Sequence, residues 1–173
     1  DVMNGEHRTD AFKAINPDAS VACAQVDDGT YISQVTAITK YIDGTFEGPP
    51  LFGKTPNDRA VIHMMNRRAE NGLVDAVGAY FHFATDGLGP ELETYQNSDW
   101  GLRQREVATQ TMAYLDRVLS TSDFLAGDQF SMADITAFSG LAFADFAKVD
   151  IPENLHNLIK WRVQMAQRPS IAA

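Results

Sequence analysis

Apolar residues change their rhythm along this chain near Leu51. Before it they come in short runs broken by polar clusters: Val21-Ala22-Cys23-Ala24-Gln25-Val26, then Asp27-Asp28-Gly29, then Thr30-Tyr31-Ile32. Asp-Gly between two β-compatible runs predicts a hairpin closed by a tight primed turn, because Gly takes positive φ without steric cost. Ser33 is placed to cap a short helix over Gln34 to Ile42, where Val35, Ile38 and Ile42 recur at helical spacing. Gly44 to Gly53, with Gly48, Pro49 and Pro50 inside it, interrupts both patterns and reads as an interdomain linker. The expected bounds are a mixed α/β domain over 1–46, a linker over 47–54 and an all-α domain over 55–173.

Beyond the linker the period is helical. Thr55-Pro56-Asn57-Asp58 has the features of a helix start: an N-cap, Pro at the first helical position and an acid near the positive end. Val61, Met65, Ala69, Leu73, Val77, Phe81 and Ala84 then form one apolar stripe, predicting a single long helix with a bend at Gly72 or Gly78. Further stripes run through Ala108, Met112, Leu115 and Leu119, through Ile135, Phe138, Leu141 and Ala142, and through Leu155, Leu158, Ile159 and Met165. Helices separated by polar loops, with no strand pattern between them, predict a bundle. In Phe130-Ser131-Met132-Ala133-Asp134-Ile135, Ser131 and Asp134 are spaced for a reciprocal capping box, and Phe130 and Ile135 for a hydrophobic staple.

Composition narrows the chemistry. The 173 residues carry 14 Lys and Arg against 23 Asp and Glu, a net charge of -9, so the long-range field repels nucleic acid and anionic lipid. No apolar run approaches the ~18 residues of a membrane span. A single cysteine, Cys23, permits neither an internal disulfide nor a multi-cysteine zinc site and points to a reducing compartment. Its place in a predicted strand is that of an inert core thiol. His7, His63, His82 and His156 are scattered without a metal-ligand spacing, and no phosphate loop, zinc-peptidase or serine-hydrolase motif occurs. His63 and His82 are expected as packed or surface residues. Arg67 and Arg68 read as a solvated face in which either arginine pairs with Glu70, or as an interface arginine gripping a carboxylate.

The order of these signals resembles the cytosolic glutathione transferases, in a bacterial delta-, theta- or beta-like pattern: Asn16-Pro17, Val21 before the hairpin, a helix from Gln34, the Gly/Pro linker, the long helix, Leu125-Ala126-Gly127-Asp128 leading into Ser131-x-x-Asp134-Ile135, and Arg168-Pro169-Ser170. The resemblance implies a thioredoxin-like α/β amino-terminal domain, truncated here by its first strand, loop and helix, and an all-α helical-bundle carboxy-terminal domain. It also implies a cytoplasmic homodimer that conjugates the thiol of glutathione to a small hydrophobic electrophile, with glutathione as substrate and no metal. The family's Asn-Pro-x-Gly-x-Val-Pro falls on Asn16 to Ala22, so that Val21 would pair its main chain with the cysteinyl unit and Ala22 stands where the family has a cis-proline. The family's Glu-Ser falls on Gln34-Val35, and these residues with Thr36 would hold the γ-glutamyl end. The group that activates the sulfur is expected upstream of Asp1, and Tyr80 and Phe81 are expected to line the pocket for the electrophile. Met64 and Met65 are candidates for the subunit contact. The alternative reading is a non-catalytic module of the same fold, for binding or dimerisation, with a decayed glutathione site.

Overall fold

The computed structural model describes residues 1–2 and 4–172. They form two compact units, Asp1–Pro50 and Leu51–Ala173.

In the first unit a 3-10 turn, Glu6–Arg8, leads into α1 (Asp10–Lys13), where Thr9 Oγ1 accepts from Phe12 N at 3.3 Å. Strands β1 (Cys23–Gln25) and β2 (Tyr31–Ser33) pair antiparallel, Cys23 opposite Ser33 and Gln25 opposite Tyr31. The hairpin is where the sequence placed it, but its turn is not the two-residue primed kind. Val26 N donates to Thr30 O at 2.9 Å and Gly29 N to Val26 O at 2.9 Å, leaving Asp27, Asp28 and Gly29 in a three-residue loop with Gly29 at φ 86°. Asp28 Oδ1 accepts from Thr30 N at 2.8 Å, an Asx contact that favours this longer loop. These bonds lower the Asp28 pKa.

Helix α2 spans Val35–Thr45 and continues through Gly44. Its N-cap is Gln34, not Ser33, which closes β2 instead. Strand pairing has claimed Ser33, and the chain turns into the helix one residue later.

The second unit opens with the expected helix start, and Thr55 and Asp58 close it as a reciprocal capping box. Asp58 N donates to Thr55 Oγ1 at 3.1 Å and Thr55 N to Asp58 Oδ2 at 3.0 Å, starting α3 (Pro56–Ala69). A π segment, Glu70–Val74, joins α3 to α4 (Asp75–Ala84). The irregularity lies at Gly72, and its cause is in the stripe. A strict four-residue repeat drifts about 40° per step around a helix of 3.6 residues per turn. The wider π turn absorbs that drift and keeps Met65, Ala69, Leu73 and Val77 in the core. Then follow α5 (Ser98–Leu119), α6 (Met132–Phe146), α7 (His156–Ala166) and α8 (Pro169–Ala172).

The core gathers Leu73, Met112, Leu115, Leu141, Leu158 and Met165, all fully buried. Along α6 the buried face differs from the predicted stripe: Ala133, Ala137, Gly140, Leu141 and Ala144 face inward, Ile135 and Phe138 are half-buried, and Ala142 is exposed. Small residues win this face because the π segment comes so close. A Cβ on Gly140 would lie 2.8 Å from Leu73 Cβ. Trp161 on α7, outside the predicted stripe, is also buried.

Asp134 sits at the start of α6 without solvent exposure. Its Oδ2 accepts from Ser131 N and Ser131 Oγ, both at 3.0 Å, and its Oδ1 accepts from Leu125 N at 3.0 Å. The capping box is therefore present and does a second job, holding the loop around Leu125 onto the helix. Phe130 packs against the core and edge-on to Phe124, 6.0 Å between centroids.

Candidate functional site

The candidate glutathione residues belong to the first unit. Asn16, buried there at 2% exposure, donates from Nδ2 to Ser20 O at 2.7 Å and to Ser20 Oγ at 3.2 Å. That brace fixes the loop that delivers Val21. The Val21–Ala22 peptide bond is cis. Both residues are exposed, and the ladder with β2 begins only at Cys23, so their main-chain groups take no part in it.

At the end of β2 the chain enters α2 through Gln34, at φ 72° and ψ 122°. A non-glycine residue there is held against its steric preference, at a cost of about 1–3 kcal/mol, and such outliers cluster at functional sites. Gln34 O accepts from Ala37 N at 3.0 Å and Ile38 N at 3.1 Å. The amides of Val35 and Thr36 therefore stand at the open end of the helix, and no side chain caps them. An eleven-residue helix presents partial positive charge there, suited to a carboxylate. Because Cys23 is opposite Ser33, Val21–Ala22 and Gln34–Val35 occupy the same end of the hairpin. An extended edge and a helix amino terminus thus lie side by side.

Tyr80 and Phe81 in the second unit face different neighbours. Arg105 of α5 lies over the Tyr80 ring, 5.5 Å from its centroid. Phe81 meets Phe143 and Phe146 of α6, with centroids 5.9 and 5.4 Å away. Adjacent helical positions point about 100° apart, so the two rings do not form one wall. The aromatic group the sequence did not identify is Phe81, Phe143 and the exposed Phe146, which joins α4 to α6. Phe143-x-x-Phe146 has the i,i+3 spacing that would have found it.

Of the histidines, His82 Nδ1 is 2.7 Å from Glu93 Oε1, and the same carboxylate accepts from Leu88 N at 2.9 Å. These contacts clasp the loop after α4 and lower the Glu93 pKa, the Leu88 amide most. His63 and His156 are exposed. No group of His, Cys, Asp and Glu among the described residues is arranged to hold a metal.

Arg67 pairs with Glu70 at 2.6 Å and reaches Asn71 Oδ1 at 2.7 Å, whereas Arg68 turns to Tyr114 OH on α5. Of the two methionines, Met65 is buried in the core and Met64 remains 42% exposed.

The chain is thus an α/β unit whose hairpin end carries an open edge and a helix amino terminus, followed in sequence by a helical bundle. Residues 96–169 match the family described as glutathione S-transferase, C-terminal domain. Glutathione S-transferase 2 of Saccharomyces cerevisiae is 51% identical over 170 residues, covering 98% of this chain and 73% of the yeast protein. The crystal structure of a glutathione S-transferase domain-containing protein from Marinobacter aquaeolei superposes with a TM-score of 0.96 at 62% identity, covering 99% of this chain and 83% of that one. Gtt2 from Saccharomyces cerevisiae gives 0.93 at 50% identity with the same coverage. The chain belongs to the glutathione S-transferase family, and its fold is a thioredoxin-like amino-terminal unit with an all-α carboxy-terminal domain.

Proposed function

We propose that the protein binds glutathione at the hairpin end of the first unit and conjugates its thiol to a small hydrophobic electrophile. The observation that carries this reading is the placement of the open Val21–Ala22 main chain beside the uncapped amino terminus of α2. In it, Val21 extends the ladder by main-chain pairing with the cysteinyl unit, a contact independent of side-chain identity. The γ-glutamyl carboxylate lies on the amides of Val35 and Thr36, with the Thr36 hydroxyl as a further donor, and the Gln34 amide oxygen accepts from the ammonium. Ala22 adds no bulk at that edge. None of these residues is assigned to activating the sulfur. Thiolate attack forms the S–C bond, and the electrophile's leaving group takes the displaced electron pair. The aromatic surface around Phe81 offers apolar contact to the electrophile, with Tyr80 retained as a candidate neighbour.

Further proposals are a homodimer and a cytoplasmic location, supported by the family relationship and by one cysteine in 173 residues. No helix of the described residues is long and apolar enough to cross a membrane.

Titration calorimetry of reduced glutathione into the intact protein tests the site. Binding is expected, with Gln34→Ala weakening it about tenfold, the order of one hydrogen bond to a charged group, and Val21→Pro weakening it further by deleting the main-chain donor. No binding at millimolar ligand would replace the enzyme with the non-catalytic module, a reading favoured by Gln34-Val35 carrying neither a charge nor a hydroxyl.

A further inference from the structure

We propose that the groove between the carboxy-terminal end of α6 and the outer face of α7 is a second binding site, for an organic cation that carries an ammonium on an apolar body. It lies wholly within the second unit and does not rest on the glutathione residues. The groove has a volume of about 630 Å³, within the usual range for small-molecule pockets, and its lining includes Ile151, Ile159, Val163, Asp150, Glu153 and Arg162.

Its shape follows from how α6 ends. Val149 N donates to Ala144 O at 2.8 Å and Lys148 N to Asp145 O at 3.0 Å, a Schellman ending with Lys148, at φ 59°, in the place that glycine usually takes. The chain reverses there. The loop that begins at Asp150 is pinned on either side by the buried side chains of Val149 and Leu155, so its residues are fixed before any ligand arrives. Arg162 of α7 reaches back to α6 and forks onto Asp145, with Nη1 donating to Oδ1 at 3.1 Å and Nη2 to Oδ2. That fork ties the two walls together.

The same fork decides the sign of the ligand. Asp145 and Arg162 offset each other, so the lining keeps two unbalanced carboxylates, Asp150 and Glu153. Among the described residues no ion pair joins either of them. Two surface acids alone would be a solvated face. Here they border uncovered apolar surface: Val163 is 56% exposed, and Ile151 and Ile159 are half-buried. An ammonium donates charge-assisted hydrogen bonds to the carboxylates while its alkyl or aryl body covers Val163 and the two isoleucines. A neutral hydrocarbon would leave the acids unanswered. A bare metal ion would leave the walls bare, and no group of His, Cys, Asp and Glu among the described residues is arranged to hold one.

Calorimetric titration of 1-naphthylmethylammonium and of neutral 1-naphthylmethanol into the intact protein tests the assignment. One ammonium per chain is expected, about tenfold tighter than the alcohol, the order of one hydrogen bond to a charged group. Asp150→Asn combined with Glu153→Gln should remove that preference and leave the alcohol unchanged. A chain of net charge -9 attracts any cation, so Asp123→Asn is the control. It removes a charge from the loop before α6, about 20 Å along that 15-residue helix from Asp145, and should leave the preference intact. Val163→Trp, which fills the groove, should abolish binding of both probes and serves if the double variant melts below the wild type. Equal affinity for the two probes, an ammonium affinity that survives the double variant or Val163→Trp, or a preference that Asp123→Asn removes as well overturns the proposal. So does an ammonium displaced by S-hexylglutathione, which would put it in the transferase site.

Discussion

Asp134 shows how one buried side chain can be essential without being catalytic. Three hydrogen bonds converge on its carboxylate, two from backbone amides that have no other described partner. Asp134→Ala leaves those amides unsatisfied in a buried site and removes a helix cap, so an unfolding free energy lower by about 3 kcal/mol is expected from urea denaturation. Burial pushes the carboxyl above the ordinary carboxylate range, against the hydrogen bonds from Leu125 and Ser131 that pull it down. A pKa raised by folding contributes stability that is fully present below the unfolded value and is lost as pH rises through the folded one. Relative to Asp134→Asn, which does not titrate, the wild type should therefore gain stability as pH falls through that window. Paired denaturation curves across the acid range check the sign. Gln34 is the opposite case, a residue whose backbone is strained and whose side chain is free. Gln34→Gly relieves the positive φ, a gain of about 1–3 kcal/mol partly offset by roughly 0.5–1 kcal/mol of added chain entropy. Thermal melts should show the variant slightly more stable while glutathione titration shows it weaker, since the amide oxygen is gone. A loss of stability would mean that Gln34 is not strained in solution.

At the scale of elements, glycines decide how closely helices approach. A Cβ on Gly101 of α5 would stand 2.8 Å from the Ala84 backbone nitrogen at the end of α4, and one on Gly140 of α6 would stand 2.8 Å from Leu73 Cβ. On α4, Gly78 faces only Phe143 Cε1, at 3.4 Å. Helix propensity favours alanine at all three positions by about 1 kcal/mol. Overpacking costs about 1–3 kcal/mol, so Gly101→Ala and Gly140→Ala should destabilise while Gly78→Ala stabilises, a reversal of sign that thermal melts would detect. The same close approaches explain which features the sequence revealed. The hairpin, the helix start at Thr55 and the Ser131-Asp134 box are local, fixed by residues within a few positions of each other, and they were legible. The buried face of α6 was not, because its choice of alanine and glycine over Ile135 and Phe138 depends on how near the π segment comes. The π segment itself was visible only as a four-residue repeat around Gly72. Ser33 misled because a cap and a strand end compete for one residue, and the register is a property of the partner strand. In the candidate site, Val21 and Gln34 were found through family resemblance. Periodicity could not show that they share one end of the hairpin, nor that Tyr80 and Phe81 diverge.

On the scale of the whole molecule, the two units are unequal in what holds them. Among the described residues, every fully buried apolar side chain lies at Ile62 or later, and Asn16 is the only buried residue of the first unit. A two-stranded hairpin with short helices and no buried apolar side chain lacks the area that offsets chain entropy at about 25 cal/mol per Å². The second unit has a contiguous core from α3 to α8. Native-state hydrogen exchange should therefore show Cys23–Gln25 and Tyr31–Ser33 amides opening at far lower free energy than those of α5 and α6, which should approach the global value. A fragment spanning 51–173 should retain helical circular dichroism and a cooperative melt, whereas 1–50 alone should show neither. Glutathione adds a directional check. A ligand that binds only the folded first unit stabilises that unit by mass action, so exchange should slow at Cys23–Gln25 and the amides of Val35 and Thr36 and remain unchanged in α5 and α6. Protection that rose first in the bundle instead would place the ligand in the second unit and remove the support for the hairpin-end site.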